Sequence, residues 1–400
     1  MIKINLSSKL ESTEREFTLG LVAHVLERCD PSALIRNHLQ LDAPSQPTHI
    51  LAFGKASSSM ALACLKEFGS AIKGGVVLSP DALIPKTLPD ASIRFFSVDH
   101  PSPTARNVEA AKALVQYAQS IPNSHRVLVC ISGGGSAHLC MPKDGITLQH
   151  INTITNNHIN RGSSIHELNQ ARRSLEQLKG GGLAEILSHV HDVQALVLSD
   201  VLGDDLEIIA SGPMMNAEHP VRHTILGNHE TALTATTEFL ASQNIVIGHQ
   251  ESHVAGDAQS QGRRLARLYD KEASGAVVMA GETTVDARKC SGVGGPCLEM
   301  ALACALELVD SGCNGWGVVG LATDGIDGPS LAAGAVITVP MLRPNQVQKS
   351  ARKALKEHNT QPFLNSIGAL ITTGPTGTNL NDVCLVYPLT QAQSKNDRYL

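Results

Sequence analysis

Six polar clusters carry most of the chemistry open to this 400-residue chain, and each follows a short apolar run. They are GKASSS at 54–59, SGGGS at 132–136, SDVLGDD at 199–205, GETTV at 281–285, TDGIDGP at 323–329 and TGPTGTN at 373–379. Ser132, Gly133, Gly134, Gly135 and Ser136 read as a strand end opening a helix. Free backbone N–H groups and the helix dipole there favour an anion. The loop is not a Walker A sequence, because no GK[ST] follows, and it is not GxGxxG; a plain strand–helix turn is the competing explanation. Lys55 follows a strand and precedes a helix, so it can meet a phosphate as a point charge, or it can be a solvated surface lysine. Lys179, beside three glycines, is a second candidate. Its alternative is a basic helix C-terminus.

The carboxylates say more. Asp200, Asp204 and Asp205 sit past one apolar run, and Asp324 and Asp327 past another. Carboxylates among glycines at strand ends suit Mg²⁺, which takes one or two from protein and the rest from phosphate and water. Asp200 or Asp324 can instead take the proton of a hydroxyl. Capping a helix or closing a turn is the structural alternative for all of them. Glu282 raises the same choice. Thr376 and Asn379 lie in a loop of hydroxyls and backbone donors that suits a polar ligand. The seventeen histidines show no HExxH spacing; His138 and His166 lie nearest these clusters and read as ordinary histidines.

The elements that must position these groups alternate. Apolar runs at 49–53, 75–78, 93–98, 126–131, 193–198, 276–280, 316–321, 369–372 and 383–386 suit strands buried on both faces, as in parallel sheets. Helical patterns at 58–67, 107–120, 167–178, 230–242, 257–268, 296–309 and 344–358 lie between them. This rhythm predicts an α/β architecture. It is weakest at 214–227, so a domain boundary belongs at 215–245. Two α/β domains commonly place a ligand at strand carboxyl ends in the cleft between them.

Composition excludes other classes. Charged residues make 17% of the chain, the net charge is -5 and Lys and Arg form no blocks. A nucleic-acid partner needs basic clusters. Aromatics at 3% leave no platform for stacking bases. Nine cysteines without a CxxC pair read as small buried hydrophobes in a reducing compartment. No run approaches the ~20 apolar residues of a membrane helix and the start lacks a signal-peptide core, so a cytoplasmic protein without a membrane partner is expected. Glycine loops, lysines and carboxylates together point to phosphoryl transfer onto a small polar substrate.

The motifs resemble, in order, those of the class II glycerate kinases, the family that carries the MOFRL domain. SGGGSAHL (132–139), IHELNQARRSLEQLKGGGLAE (165–185) and LVLSDVLGDDLEIIASGP (196–213) look like its N-terminal part. GETTV, GVGGPCLEMAL (292–302), TDGIDGPSLAAGA (323–335) and TGPTGTNLNDV (373–383) look like its C-terminal part. The likeness runs from about residue 50 to 387. It implies two Rossmann-like α/β domains, 1–230 and 231–400, with an interdomain active-site cleft. It implies ATP- and Mg²⁺-dependent phosphorylation of D-glycerate to 2-phosphoglycerate. Lys55, Asp200 and Asp324 become the expected catalytic residues. Ser132, Gly133, Gly134, Gly135, Ser136, Asn169, Arg172, Lys179, Glu282, Thr376 and Asn379 become the expected substrate or phosphate ligands, and Asp204 and Asp327 the expected metal ligands. The family often forms homodimers, although no stripe here encodes one.

Two departures stand out. The family usually reads GGRNQE where this chain has GGPCLE at 294–299, and KGGRL where it has KGGGL, so arginines give way to Pro296 and Gly182. Arg172, Arg173 or Arg288 can compensate, or the acceptor is a related sugar acid or keto acid. A metabolite-binding homologue without activity and an NAD-linked reductase are the remaining alternatives. The reductase lacks GxGxxG support.

Overall fold

A computed structural model of the chain describes residues 2–39, 46–87, 92–161, 165–269, 275–286 and 292–389. The strands, in chain order, are β1 (Asn5–Leu6), β2 (Thr48–Phe53), β3 (Ile72–Ser79), β4 (Ile93–Ser97), β5 (Arg126–Ser132), β6 (Asp192–Leu198), β7 (Arg222–Gly227), β8 (Ile247–Asp257), β9 (Ala276–Thr284), β10 (Trp316–Ala322), β11 (Gly334–Thr338), β12 (Leu370–Thr372) and β13 (Asp382–Pro388). They form two compact units. The first holds Asp30–Asn228 with Gly377–Asn379. The second holds the chain up to Cys29, His229–Thr376 and the chain from Leu380 onward.

The first unit is a six-stranded sheet ordered β4-β3-β2-β5-β6-β7, with every pair parallel. Numbered within the unit, this is the doubly wound order 3-2-1-4-5-6, whose direction reverses between its first and fourth strands, β2 and β5. All residues of β2 and β5 are buried, as strands covered by helices on both faces must be. Leu51, Phe53, Val127 and Val129 pack against Ala110, Leu114 and Ala118 of the Ala105–Gln119 helix. That helix starts at Thr104, whose side chain accepts from Arg106 N while Asn107 Oδ1 accepts from Thr104 N.

The second unit has a seven-stranded sheet ordered β1-β12-β11-β10-β13-β9-β8. Only β8–β9 is parallel; the other pairs are antiparallel. The expectation of parallel strands therefore holds throughout the first sheet and for one pair of the second. The apolar runs could not tell the two apart, because β10 and β13 are buried on both faces although antiparallel. The helix Pro296–Asp310 is buried nearly all round, between the sheet and the helices Ala258–Leu268 and Asn345–Lys356. The first 29 residues, assigned by the sequence reading to the N-terminal domain, belong to this unit. Their helix, Ser12–Arg28, packs on His229–Ser242. Phe17 stacks on Tyr387 at 4.4 Å and meets Phe239 edge-on at 5.4 Å, and Tyr387 OH donates to the buried Glu14 at 2.8 Å.

Candidate active site

In the first unit the loops after β2 and β5 flank the switch point, where doubly wound sheets bind ligands, and they are tied together. Lys55 N donates to Gly133 O at 2.8 Å, Ala56 N to Ser132 Oγ at 2.9 Å and Gly54 N to His138 Nδ1 at 3.1 Å. Gly54 has φ +111°, and a Cβ there would fall 2.3 Å from Ser132 Oγ. Only glycine lets the two loops come this close.

Each glycine of the SGGGS loop has its own reason. A Cβ on Gly133 would lie 1.8 Å from Asp200 Oδ2 and 2.1 Å from Asn379 Nδ2. Gly134 has φ +78°, and its Cβ position is 3.2 Å from Lys55 Cγ and 3.2 Å from His100 Nε2. A Cβ on Gly135 would lie 2.9 Å from the Ala210 methyl carbon. The loop thus runs between Lys55 on one side and Asp200 on the other. The helix it opens, Gly135–His138, is a single turn, shorter than the sequence suggested. Asn379 arrives from the loop after β12 and donates to Asp200 Oδ2 at 3.0 Å, both within this unit. Lys55 and Asp200 are half-buried.

Two basic candidates differ from expectation. The Lys179 side chain is 0% exposed. Its ammonium donates to Ser136 O at 2.6 Å and Leu139 O at 3.1 Å and pairs with Glu176 at 3.3 Å. Three donors are all an ammonium has, so Lys179, with all three engaged, braces the loop. Gly182 cannot carry a longer side chain on this backbone, since its Cβ would lie 1.8 Å from Gln177 O. Arg172 is half-buried, and burial lowers its pKa against the opposing charge of Glu176. Arg173 is engaged by Glu207. Arg288 lies outside the described residues. Asn169 is also a brace: it donates to Ile208 O at 3.3 Å and accepts from Ser211 Oγ at 2.9 Å. Ser211 in turn bonds Ser136. His166 is exposed on its helix.

Asp204 keeps a role open to it. It adopts φ +54°, uncommon for a residue with a side chain. Its Oδ2 accepts from Asn228 Nδ2 at 2.6 Å, and its Oδ1 is buried with no hydrogen-bond partner among the described residues. Asp205 closes a turn by accepting from Glu207 N at 2.8 Å. The sequence reading underrated His138. It is fully buried, and burial, with His100 and Lys55 close by, lowers its pKa to about 3, so it is neutral when it accepts from Gly54.

In the second unit Asp324 follows β10. Its Oδ1 accepts from Ile326 N at 3.0 Å, and its carbonyl from Thr376 N at 3.1 Å. Thr376 Oγ1 donates to Thr323 O at 2.6 Å. Glu282, at the exposed end of β9, accepts from Asn381 Nδ2 at 3.3 Å. Asp327, expected as a metal ligand, is placed at a helix start. It is 2% exposed, and its two oxygens accept from Cys297 N and Leu298 N, both at 2.9 Å. It caps the helix that opens with Pro296, and both its oxygens are committed to that cap. Burial still raises its pKa to about 7 against the two cap bonds. The sequence missed Asp382, next to Asn381. Burial first, then Asp327, Asp324 and Glu282, raise its pKa well above the usual carboxylate range.

Comparison with known proteins gives the family. Residues 18–237 match the family model described as a domain of unknown function, DUF4147, and residues 275–382 match the MOFRL family. The chain is 30% identical to a D-glycerate 2-kinase of Thermotoga maritima over 84% of this chain and 89% of that one. It is also 30% identical to an Agrobacterium vitis protein provisionally named as a hydroxypyruvate reductase, over 84% of this chain and 97% of that one. A crystal structure of a glycerate kinase from Thermotoga maritima superposes with TM-score 0.82 at 27% identity, covering 94% of this chain and 99% of that one. No helix among the described residues is long and apolar enough to cross a membrane. With one family model over more than half of its length, a second over the C-terminal part and a D-glycerate 2-kinase related along most of its residues, the chain belongs to the class II glycerate kinase family.

Proposed function

We propose that this protein transfers the γ-phosphoryl group of ATP to the 2-hydroxyl of D-glycerate. The observation that carries the reading is the SGGGS loop held between Lys55 and Asp200 at the switch point of a doubly wound sheet. In phosphoryl transfer the protein chiefly positions the reactants and stabilises spread negative charge. Lys55 supplies a fixed positive charge beside backbone N–H groups. Asp200, oriented by Asn379 Nδ2, accepts the proton of the acceptor hydroxyl. Arg172 and Thr376 are assigned to holding ligand oxygens, and Asp324 and Glu282 to the acidic side of the chemistry.

Mg²⁺ fits the donors present. Asp204 Oδ1 is a buried carboxylate oxygen with no hydrogen-bond partner among the described residues, the ligand type this ion takes. When bound, Mg²⁺ neutralises phosphate charge. Asp204 would hold it, while Asp327 stays on its helix cap.

The test is an ADP-release assay with Mg-ATP against small hydroxy acids, D-glycerate included, with the product's phosphate position read by NMR. Turnover of D-glycerate to 2-phosphoglycerate is expected. Turnover confined to another acid would overturn the assignment of substrate. A second reading, hydroxypyruvate reduction, draws on the doubly wound strand order and on the names of two relatives. NADH oxidation by hydroxypyruvate without any ADP release would favour it.

A further inference from the structure

His229, Glu230 and His253 come together in the second unit. His229 and Glu230 open the helix His229–Ser242, while His253 lies on β8. One ligand atom from each lies within 4.8 Å of the others. The two imidazoles stand nearly perpendicular, 76° between planes, with centroids 4.3 Å apart. His229 is fully buried; His253 and Glu230 are exposed.

The backbone at His253 is unusual. The β8–β9 register shifts between Glu251 and Val254, and His253 there has φ +64°. A bulge of this kind re-aims a side chain, and a non-glycine residue in the left-handed region is strained. The strain holds an exposed imidazole against a buried one. Ser252 Oγ bonds His253 Nδ1 at 2.9 Å, which leaves Nε2 as the nitrogen available for coordination. No other described group of three His, Cys, Asp or Glu side chains is drawn this tightly together. The pair His189 and His191 is different, because both His189 nitrogens lie against backbone carbonyls, of Ile186 at 3.1 Å and Ile121 at 3.0 Å.

We propose that His229, Glu230 and His253, none of them assigned to phosphoryl transfer, form a binding site for a divalent transition-metal ion of the zinc class. Two imidazoles and a carboxylate select Zn²⁺, Co²⁺ or Ni²⁺ over Mg²⁺, which prefers oxygen ligands. Ligand atoms sit about 2.0–2.1 Å from zinc, so two on opposite sides are at most ~4.2 Å apart. Small rotations of the exposed His253 and Glu230 side chains close the remaining gap. The helix dipole opposes a cation at this end, and the Glu230 carboxylate offsets it. The ion would pin the β8 bulge to the start of the helix His229–Ser242 and leave room for water in its coordination sphere.

The test uses the full chain without a histidine tag, stripped with EDTA and titrated with Co²⁺. One equivalent is expected to bind with visible d–d absorption and to be displaced by Zn²⁺, and Zn²⁺ is expected to raise Tm. Ser252→Ala should weaken binding about 10-fold, and His253→Ala and Glu230→Gln by more. Both ligand variants alter exposed side chains and should keep the fold, whereas His229→Ala risks unfolding a buried site. Absence of saturable Co²⁺ binding overturns the proposal. So does one-equivalent binding left unchanged in both His253→Ala and Glu230→Gln, which would place the ion elsewhere among the seventeen histidines.

Discussion

Lys55 and Lys179 look alike in sequence, each beside glycines, and the structure separates them by burial. Lys179 has spent its three donors on two carbonyls and Glu176. Lys179→Ala should cost ~3–5 kcal/mol, because it strands a buried carboxylate, and denaturant unfolding reads that loss directly. Lys55→Ala should leave the unfolding midpoint in place and cut kcat by about 10²–10³-fold, as removal of one charge-stabilising donor does. Near-normal turnover would take Lys55 out of the reaction. Gly133→Ala should abolish turnover by driving Asp200 and Asn379 off their positions, since the added carbon would overlap both. His138 sets a limit on acid tolerance. Its folded pKa of about 3 lies below the ordinary 6.5, so the stability it contributes is complete above pH 6.5 and drains away as pH falls toward 3. Melts from pH 7 to 4 should show His138→Gln losing less stability than the wild type, by up to ~1.4 kcal/mol per pH unit. Equal slopes would show that His138 does not drive the loss.

At the scale of elements, Asp327 shows how a motif can mislead. TDGIDGP places two aspartates three apart among glycines, a pattern equally good for a metal or for a turn followed by a cap. Only the return of this loop to the start of the helix Pro296–Asp310 decides between them, and that return is a long-range contact invisible in the motif. Its folded pKa, raised to about 7, means that the stability it contributes is present below pH 4 and lost as pH rises to 7. Asp327→Asn should remove that slope from the unfolding free energy between pH 4 and 7, at the expense of one cap hydrogen bond, ~1 kcal/mol. Five strands of the first sheet, β2 to β6, were legible because runs such as RVLVCI are continuous and end in polar or glycine clusters. β7, β8 and β11 were not, since β7 and β8 are half-exposed and irregular in register and β11 is a short run lacking a polar close. Of the site, the glycine loop and Asp200 could be read directly, whereas Lys179 and Asn169 as braces could not. A lysine's partner across 40 residues leaves no local trace.

At the scale of the whole molecule, the two units are not the two halves of the sequence. The helix Ser12–Arg28 covers His229–Ser242 and gives Tyr387 its stacking partner and its carboxylate acceptor. Removing residues 1–29 should therefore destabilise the second unit. A fragment from residue 229 to the C-terminus should give broad, weakly cooperative unfolding, and adding a peptide of residues 2–29 should sharpen it. An unchanged sharp transition in the bare fragment would count against this dependence. The same arrangement bears on the order of events at the ribosome. The first unit, apart from Gly377–Asn379, is complete once Asn228 has emerged. The helix Ser12–Arg28 leaves the exit tunnel well before Tyr387, which its Phe17 and Glu14 need. At ~5–20 residues per second that wait lasts on the order of tens of seconds. Until His229–Ser242 emerges, Leu21, Val22 and Val25, all buried in the finished protein, lack the helix on which this segment packs. The helix Ser12–Arg28, made well before its partners, is thus a natural substrate for a nascent-chain chaperone.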